Sequence, residues 1–337
     1  MEVCSTCFKD LELVSFIDAS SSRSDTCNWC KTENARLIDF TNIEDFFNEF
    51  LEIFEPNENG IPIKQLIDDD WKIFNTENDE LLTEIFQTLK FPHKTDTKVY
   101  YTTQITENIA YWDTLKESLK WSFRFITNTR YLIEELGWDA FFNRQRTLNE
   151  NETLFRARIH NNDREDPYQK EKMGCPPKDL ASSGRANPFG IPYLYLSKSI
   201  ETTFYETRSL YLDEVSVGDF TVKSDEEIIL VDFTETPSAF ANSDNLSEYT
   251  KAILLKRRIS SDLSKPLRRY DSELEYIPTQ FICEFIRSIT GSDGIIFNSS
   301  LHIGGVNVVL FNEEKIECKS VKKYQVSSVE IKHTPVE

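Results

Sequence analysis

No run of about 18 apolar residues, the length a membrane-spanning helix needs, occurs among the 337 residues of this chain. The opening residues Met1-Glu2-Val3-Cys4 have neither a basic start nor an apolar core of the kind that directs export. Both absences predict a cytoplasmic protein without membrane contact. Positive charge is also scarce. With 38 Lys and Arg against 57 Asp and Glu the formal net charge is −19, which argues against a nucleic-acid-coating surface, because counterion release needs cations clustered against phosphate. An anionic ligand must then be held by a few local arginines and by backbone amides. Repeats, long linkers and low-complexity tracts are missing, as are serine-hydrolase and zincin signatures and the phosphate-cradling G-x-x-x-x-G-K-[ST] loop.

What is present describes a globular protein, 39% hydrophobic and 28% charged, long enough for two or three domains. Four of the seven cysteines form two pairs, Cys4-Ser5-Thr6-Cys7 and Cys27-Asn28-Trp29-Cys30, nineteen residues apart. Two such knuckles complete a tetrahedral zinc site, and two pairs of free thiols are the plainer alternative. Four thiolates leave no open position, so the zinc would be structural and would make residues 1–38 fold.

Residues 39–150 read as helices. Ile43, Phe46, Phe47, Phe50, Leu51 and Phe54 form a helical apolar stripe that the turn residues Pro56 to Gly60 end, and further helices begin near Pro62, Glu80 and Thr106. The last carries Trp112, Leu115, Leu119, Phe123 and Ile126, aromatic-rich residues that pack a core. From residue 151 onward short β-rich runs take over. Residues 228–233, 294–297 and 306–311 read as strands, and 280–286 as a helix packed on them. Strands and helices do not alternate strictly, which predicts an α+β class for 151–337. The polar stretch Asn161 to Lys172 reads as a mobile loop.

One segment concentrates chemistry. Gly184-Arg185-Ala186-Asn187-Pro188-Phe189-Gly190 presents an arginine in a turn ahead of Tyr193 and Tyr195, and a predicted helix from Ser199 leads to Glu206 and Arg208. Cation, phenol and carboxylate in one turn, strand and helix are the material of an anion-binding site.

The stretches Leu154-Phe155-Arg156-Ala157-Arg158, Gly184 to Tyr195, Glu206, Tyr276 to Gln280, Gly294 to Ser299 and Gly304 to Phe311 together resemble the RES-domain family, over roughly residues 151–315. The resemblance implies a fold like that of ADP-ribosylating toxins and an activity on NAD, cleaving the nicotinamide-ribose bond and passing ADP-ribose to water or phosphate as a bacterial toxin or defence effector. Some RES-domain proteins carry an N-terminal extension made of a cysteine-pair segment and an all-helical region related to HEPN domains, and the resemblance implies a HEPN-like bundle over residues 39–150. Catalytic HEPN ribonucleases have an Arg and a His with at least four residues between them; here Arg156 and His160 have only three, so a ribonuclease is not expected. An antitoxin protein is a partner the resemblance allows, whereas oligomeric state is not legible. Alternatives are transfer of ADP-ribose to a protein target and a non-catalytic, zinc-containing nucleotide-binding adaptor.

Cleavage of that bond passes through an oxocarbenium-like ribose, so the site must anchor pyrophosphate, hold the ring and stabilise positive charge. The resemblance gives the anchor to Arg185 with help from Arg156, stacking or hydroxyl positioning to Tyr195, and the carboxylate beside the ribose to Glu206. Ser299, five residues before Gly304, is expected to hydrogen-bond nicotinamide or phosphate. Arg158 and Arg208 read as surface pairs, Tyr193 as sharing the face of Tyr195 and so open between core and pocket, Glu201 as a helix N-terminal charge, His302 as a surface histidine, and Glu284 as a second candidate carboxylate.

Overall fold

A computed structural model describes the chain apart from residues 76–78, 144, 162–165, 235–236, 266–272, 331–332 and 334–337. In chain order its elements are β1 (Glu2–Cys4), α1 (Leu11–Ser20), β2 (Arg23–Asp25), β3 (Ala35–Asp39), α2 (Glu44–Glu52), β4 (Phe54–Pro62), α3 (Ile63–Asp70), α4 (Asp79–Thr88), β5 (Lys98–Tyr101) and α5 (Thr103–Trp121). After these come α6 (Thr129–Glu134), α7 (Trp138–Phe141), β6 (Gln145–Leu148), β7 (Thr153–Ile159), β8 (Leu194–Ser197), α8 (Ile200–Glu206), β9 (Glu214–Val222) and β10 (Ile228–Asp232). The chain ends with α9 (Leu246–Ser264), α10 (Ile277–Thr290), β11 (Gly294–Asn298), β12 (Val306–Leu310) and β13 (Ile316–Gln325). Two compact units share them: Met1–Tyr111 with Thr236–Leu254, and Trp112–Glu235 with Leu255–Glu337.

The first unit combines a small sheet, in the order β1-β3-β2, with helices and an antiparallel β4–β5 pair. Its core is aromatic. Phe46, Phe47 and Phe50 on one side of α2 are buried, and Phe47 packs on Phe8, Phe40 and Phe74 with ring centroids 5.5–6.2 Å apart. Helices are expected from sequence throughout residues 39–150, and the structure corrects this, because β4, β5 and β6 fall within them. The helical stripe stops at Glu52. Phe54 instead pairs with Tyr101 across β4 and β5, their rings 5.3 Å apart, and Pro56 and Ile61 both oppose Val99, so that Asn57 to Gly60 bulge from the strand. A Cβ on Gly60 would lie 2.1 Å from the Val99 carbonyl oxygen, so only glycine permits the approach.

Asp10 ties distant parts of this unit together. Its Oδ1 caps α1 by accepting from the Glu12 and Leu13 amides, and its carboxylate also accepts from Ser238 Oγ and the Phe240 amide. The residue is buried. Asp10→Ala removes a cap and orphans four donors, and is expected to cost about 2 to 4 kcal/mol of stability. Equilibrium urea unfolding of the two proteins checks this, and an unchanged midpoint would show the carboxylate to be dispensable.

The second unit is built on an eight-stranded mixed sheet, β13-β9-β7-β8-β12-β11-β10-β6, in which β10 and β11 are parallel and the other neighbours antiparallel. The three strands expected from sequence are β10, β11 and β12. In β11 both Ile295 and Ile296 are fully buried, so both faces of the sheet centre are covered. Helix α10 buries Ile282, Phe285 and Ile286, with Phe285 against Trp138 and Phe142. Trp112, Leu115 and Leu119 of α5 are buried as expected, whereas Phe123 and Ile126 are 66% and 84% exposed. The helix ends before them at Trp121, where the Ser122 and Phe123 amides both donate to the Ser118 carbonyl and Arg124 Nε and Nη2 cover the Leu119 and Lys120 carbonyls.

Of the expected loop from Asn161 to Lys172, positions 162–165 lie outside the described residues. Tyr168 to Lys172 is held against the sheet. The Tyr168 amide donates to Ser216 Oγ at 2.9 Å, Arg158 lies over the Tyr168 ring, and an Arg158 Nη1 hydrogen bond reaches the Lys172 carbonyl.

Candidate functional site

Arg156, Arg185, Tyr195 and Glu206 line one cleft of about 490 Å³ in the second unit. Each reaches it from a different element. The Arg185 turn is fixed by α10, where Thr279 Oγ1 donates to the Arg185 carbonyl at 2.6 Å and Gln280 Nε2 donates to the Gly184 and Asn187 carbonyls at 2.8 and 3.1 Å. The stretch Tyr276 to Gln280, far off in sequence, is thus what shapes the arginine turn. Arg185 Nη1 donates to the Leu263 and Ser264 carbonyls at the end of α9, at 3.1 and 2.9 Å. That contact aims the guanidinium, and among the described residues its other nitrogens have no hydrogen-bond partner.

Tyr195 stands on β8 with its hydroxyl committed. It donates to Asn187 Oδ1 at 2.8 Å and accepts from the Ala186 amide at 3.0 Å, and burial pushes the phenol well above its ordinary range. The ring, not the hydroxyl, is the part offered to a ligand. Gly184 makes this packing possible, since a Cβ there would sit 2.7 Å from Tyr195 Oη. Arg156 on β7 spends Nη1 on the Met173 and Gly174 carbonyls, and burial lowers its pKa.

Glu206 is the last residue of α8, a helix capped by Ser199, whose Oγ accepts from the Thr202 amide. Two neutral donors converge on its Oε1, Ser299 Oγ at 2.7 Å and Asn307 Nδ2 at 2.7 Å. Ser299 Oγ itself accepts from the Leu301 and His302 amides, at 3.2 and 3.1 Å, which turns its hydrogen to the carboxylate. Among the described residues Oε2 has no hydrogen-bond partner.

Asn307, Arg208 and Tyr276 also line the cleft and were not assigned there from sequence. Asn307 left a trace, as a polar residue in the apolar strand Val306 to Leu310. His302 is half-buried, bonded to Thr202 Oγ1 at 2.9 Å and stacked on Tyr205, rather than a solvated loop residue. Tyr193 does not share the cleft with Tyr195, because β8 begins after it and its ring packs on Phe311 instead. Glu284 is exposed on α10 and does not line the cleft.

In the first unit Cys4, Cys7, Cys27 and Cys30 bring their Sγ atoms within 4.8 Å of one another. The Cys4–Cys7, Cys4–Cys30 and Cys7–Cys27 separations are 3.7, 3.3 and 3.6 Å. These exceed the ~2.05 Å of a disulfide and approach the ~3.8 Å edge of a tetrahedron with ~2.3 Å metal–sulfur bonds. The residues fit a four-thiolate metal site. The shared contact draws the Cys4 thiol down to about 5 and pushes that of Cys7 up.

Comparison with known proteins gives three findings. A family model described as RES domain matches residues 153–332, a little over half of the chain. The crystal structure of the M. tuberculosis MbcT–MbcA toxin–antitoxin complex is similar at 13% identity and a TM-score of 0.32, covering 56% of this chain and 89% of that one. No curated protein matches the sequence.

Proposed function

We propose, from the premise that this chain belongs to the RES-domain family, that it consumes NAD by cleaving the nicotinamide-ribose bond and passing ADP-ribose to water or phosphate. The observation that carries the reading is the carboxyl group of Glu206, held through one oxygen by two uncharged donors, in a cleft it shares with Arg156, Arg185 and Tyr195. A cation beside a carboxylate answers both ends of the substrate, pyrophosphate at one and a ribose that turns cationic at the other. In the proposed reaction the C1′–nitrogen bond breaks, nicotinamide leaves with the bonding pair, and water or phosphate attacks C1′ and gives up a proton. Arg185 anchors phosphate, the Tyr195 ring packs on the substrate, and Glu206 faces the developing charge. A fold like that of ADP-ribosyltransferases, a toxin or defence role, and an antitoxin that blocks the cleft belong to the same proposal. So do the division into segments 1–38, 39–150 and 151–337, a HEPN-like middle segment, and zinc as the metal of the cysteine cluster.

Products separate this reading from its rivals. Free or phosphorylated ADP-ribose supports it, a labelled protein points to transfer onto a target, and intact NAD points to a binding adaptor. Affinity is tested by Arg185→Lys, which keeps charge but removes the fork. NAD binding is expected to weaken by about 1.5 to 3 kcal/mol, on the order of ten- to a hundredfold. An unchanged Kd in calorimetry would leave the guanidinium with only its role in the turn.

A further inference from the structure

We infer that Asn307 is a positioning residue for Glu206, itself completed by Ser197, and that together with Ser299 it leaves Glu206 a single working oxygen, Oε2. The inference rests on the NAD reading above. It begins with strand register. Antiparallel pairing of β8 with β12 sets Ser197 opposite Asn307, and both are buried, at 3% and 7% exposure. A carboxylate oxygen can only accept, so Glu206 selects the turn of the amide that points its NH2 at Oε1. The amide oxygen then faces Ser197, whose Oγ donates to Oδ1 at 2.8 Å. Buried polar atoms on both sides are satisfied in this one arrangement, and turning the amide over would set Oδ1 against the carboxylate.

The chemistry of the donors matters as much as their aim. A lysine or arginine in place of Asn307 would hold Glu206 equally well but would cancel part of its charge. Two neutral donors fix the carboxylate and leave it an anion, which a cationic ribose requires. Because both bonds end on Oε1, the group cannot rotate freely, and Oε2 stays presented in one orientation.

The test measures NAD turnover and thermal stability for wild type, Ser197→Ala, Asn307→Leu, the Ser197→Ala/Asn307→Leu double variant, Asn307→Asp, and Asn307→Asp with Glu206→Gln. Asn307→Leu is expected to lower kcat at least tenfold with KM nearly unchanged. Ser197→Ala is expected to lower kcat less, and the double variant to be no slower than Asn307→Leu, since Ser197 acts through the amide. Asn307→Asp places a like charge beside Glu206 and is expected to lower Tm at pH 8, while adding Glu206→Gln restores it. If Asn307→Leu unfolds, Ser197→Ala and the charge rescue still decide the matter. Wild-type turnover with Asn307→Leu at the same kcat, or a loss confined to KM, would overturn the positioning role alone. Effects that multiply in the double variant would overturn the part given to Ser197. A wild type that leaves NAD intact, with the rescue of Tm still present, would instead overturn the NAD reading and the catalytic use of the contact.

Discussion

Glu206→Gln is expected to fold, bind NAD with nearly wild-type affinity, and lose turnover by about a hundredfold to a thousandfold, the usual cost of removing one preorganised electrostatic group. The glutamine keeps the length and shape of the side chain, and its oxygen can still accept from Ser299 and Asn307, whose donors now meet at Oε1. What disappears is the negative charge. In the ground state the nicotinamide ring of NAD bears the positive charge and the ribose does not, so the carboxylate gains most as the glycosidic bond breaks and charge moves onto the sugar. The loss therefore belongs in kcat and equally in kcat/KM, with binding spared. A variant whose Kd rises by the same factor as its rate falls would show that Glu206 serves recognition instead. As expected of the toxin role proposed above, expression of the wild type should deplete cellular NAD and arrest growth, while the variant should be tolerated.

Cys27→Ser is expected to have the largest effect on stability. Cys27 is fully buried and contributes one corner of the four-sulfur cluster. The strands that the cluster staples, β1, β2 and β3, are only three to five residues long, and β2 buries none of its residues. Structural zinc sites release on the order of 10 kcal/mol on binding, so a site with three thiolates should lose its metal and several kcal/mol with it. For a unit of this size that corresponds to a Tm lower by roughly 10 °C or more. A four-thiolate site has no open position, so NAD turnover by the protein that remains folded should not change. Metal analysis finding no zinc in the native protein, or an unchanged Tm in Cys27→Ser, would contradict the account.

Much of this was legible in the sequence where local pattern decides. The strands β10, β11 and β12 are short apolar runs between turn residues, and the two cysteine pairs announce their cluster by spacing alone. Other features depend on partners far away in the chain. Nothing near Asp10 indicates Ser238 or Phe240, so the inclusion of Thr236–Leu254 in the first unit is invisible to a local reading. The turn-like residues after Pro56, Asn57 to Gly60, proved to be a bulge because Pro56 and Ile61 both oppose Val99. Tyr193, whose spacing from Tyr195 leaves it open between core and pocket, is buried against Phe311, because β8 starts one residue after it. At the site, the family resemblance pointed to Arg156, Arg185, Tyr195, Glu206 and Ser299; the fold brings the first four to the lining of one cleft, and Ser299 meets it through its hydrogen bond to Glu206. Pattern alone gave no warning that the Tyr195 hydroxyl and one Arg156 nitrogen would be spent on the protein's own backbone and side chains. Asn307 escaped because its meaning lies in the cross-strand contact with Ser197.

The most direct measurement is nicotinamide release from NAD by the purified wild type and by Glu206→Gln, at equal concentration and confirmed equal folding, with and without inorganic phosphate. Wild type is expected to release one nicotinamide for each NAD lost, to yield ADP-ribose or its phosphorylated form, and to outpace the variant by about a hundredfold or more. NAD left intact by the wild type, or released at the same rate by both proteins, would contradict that expectation.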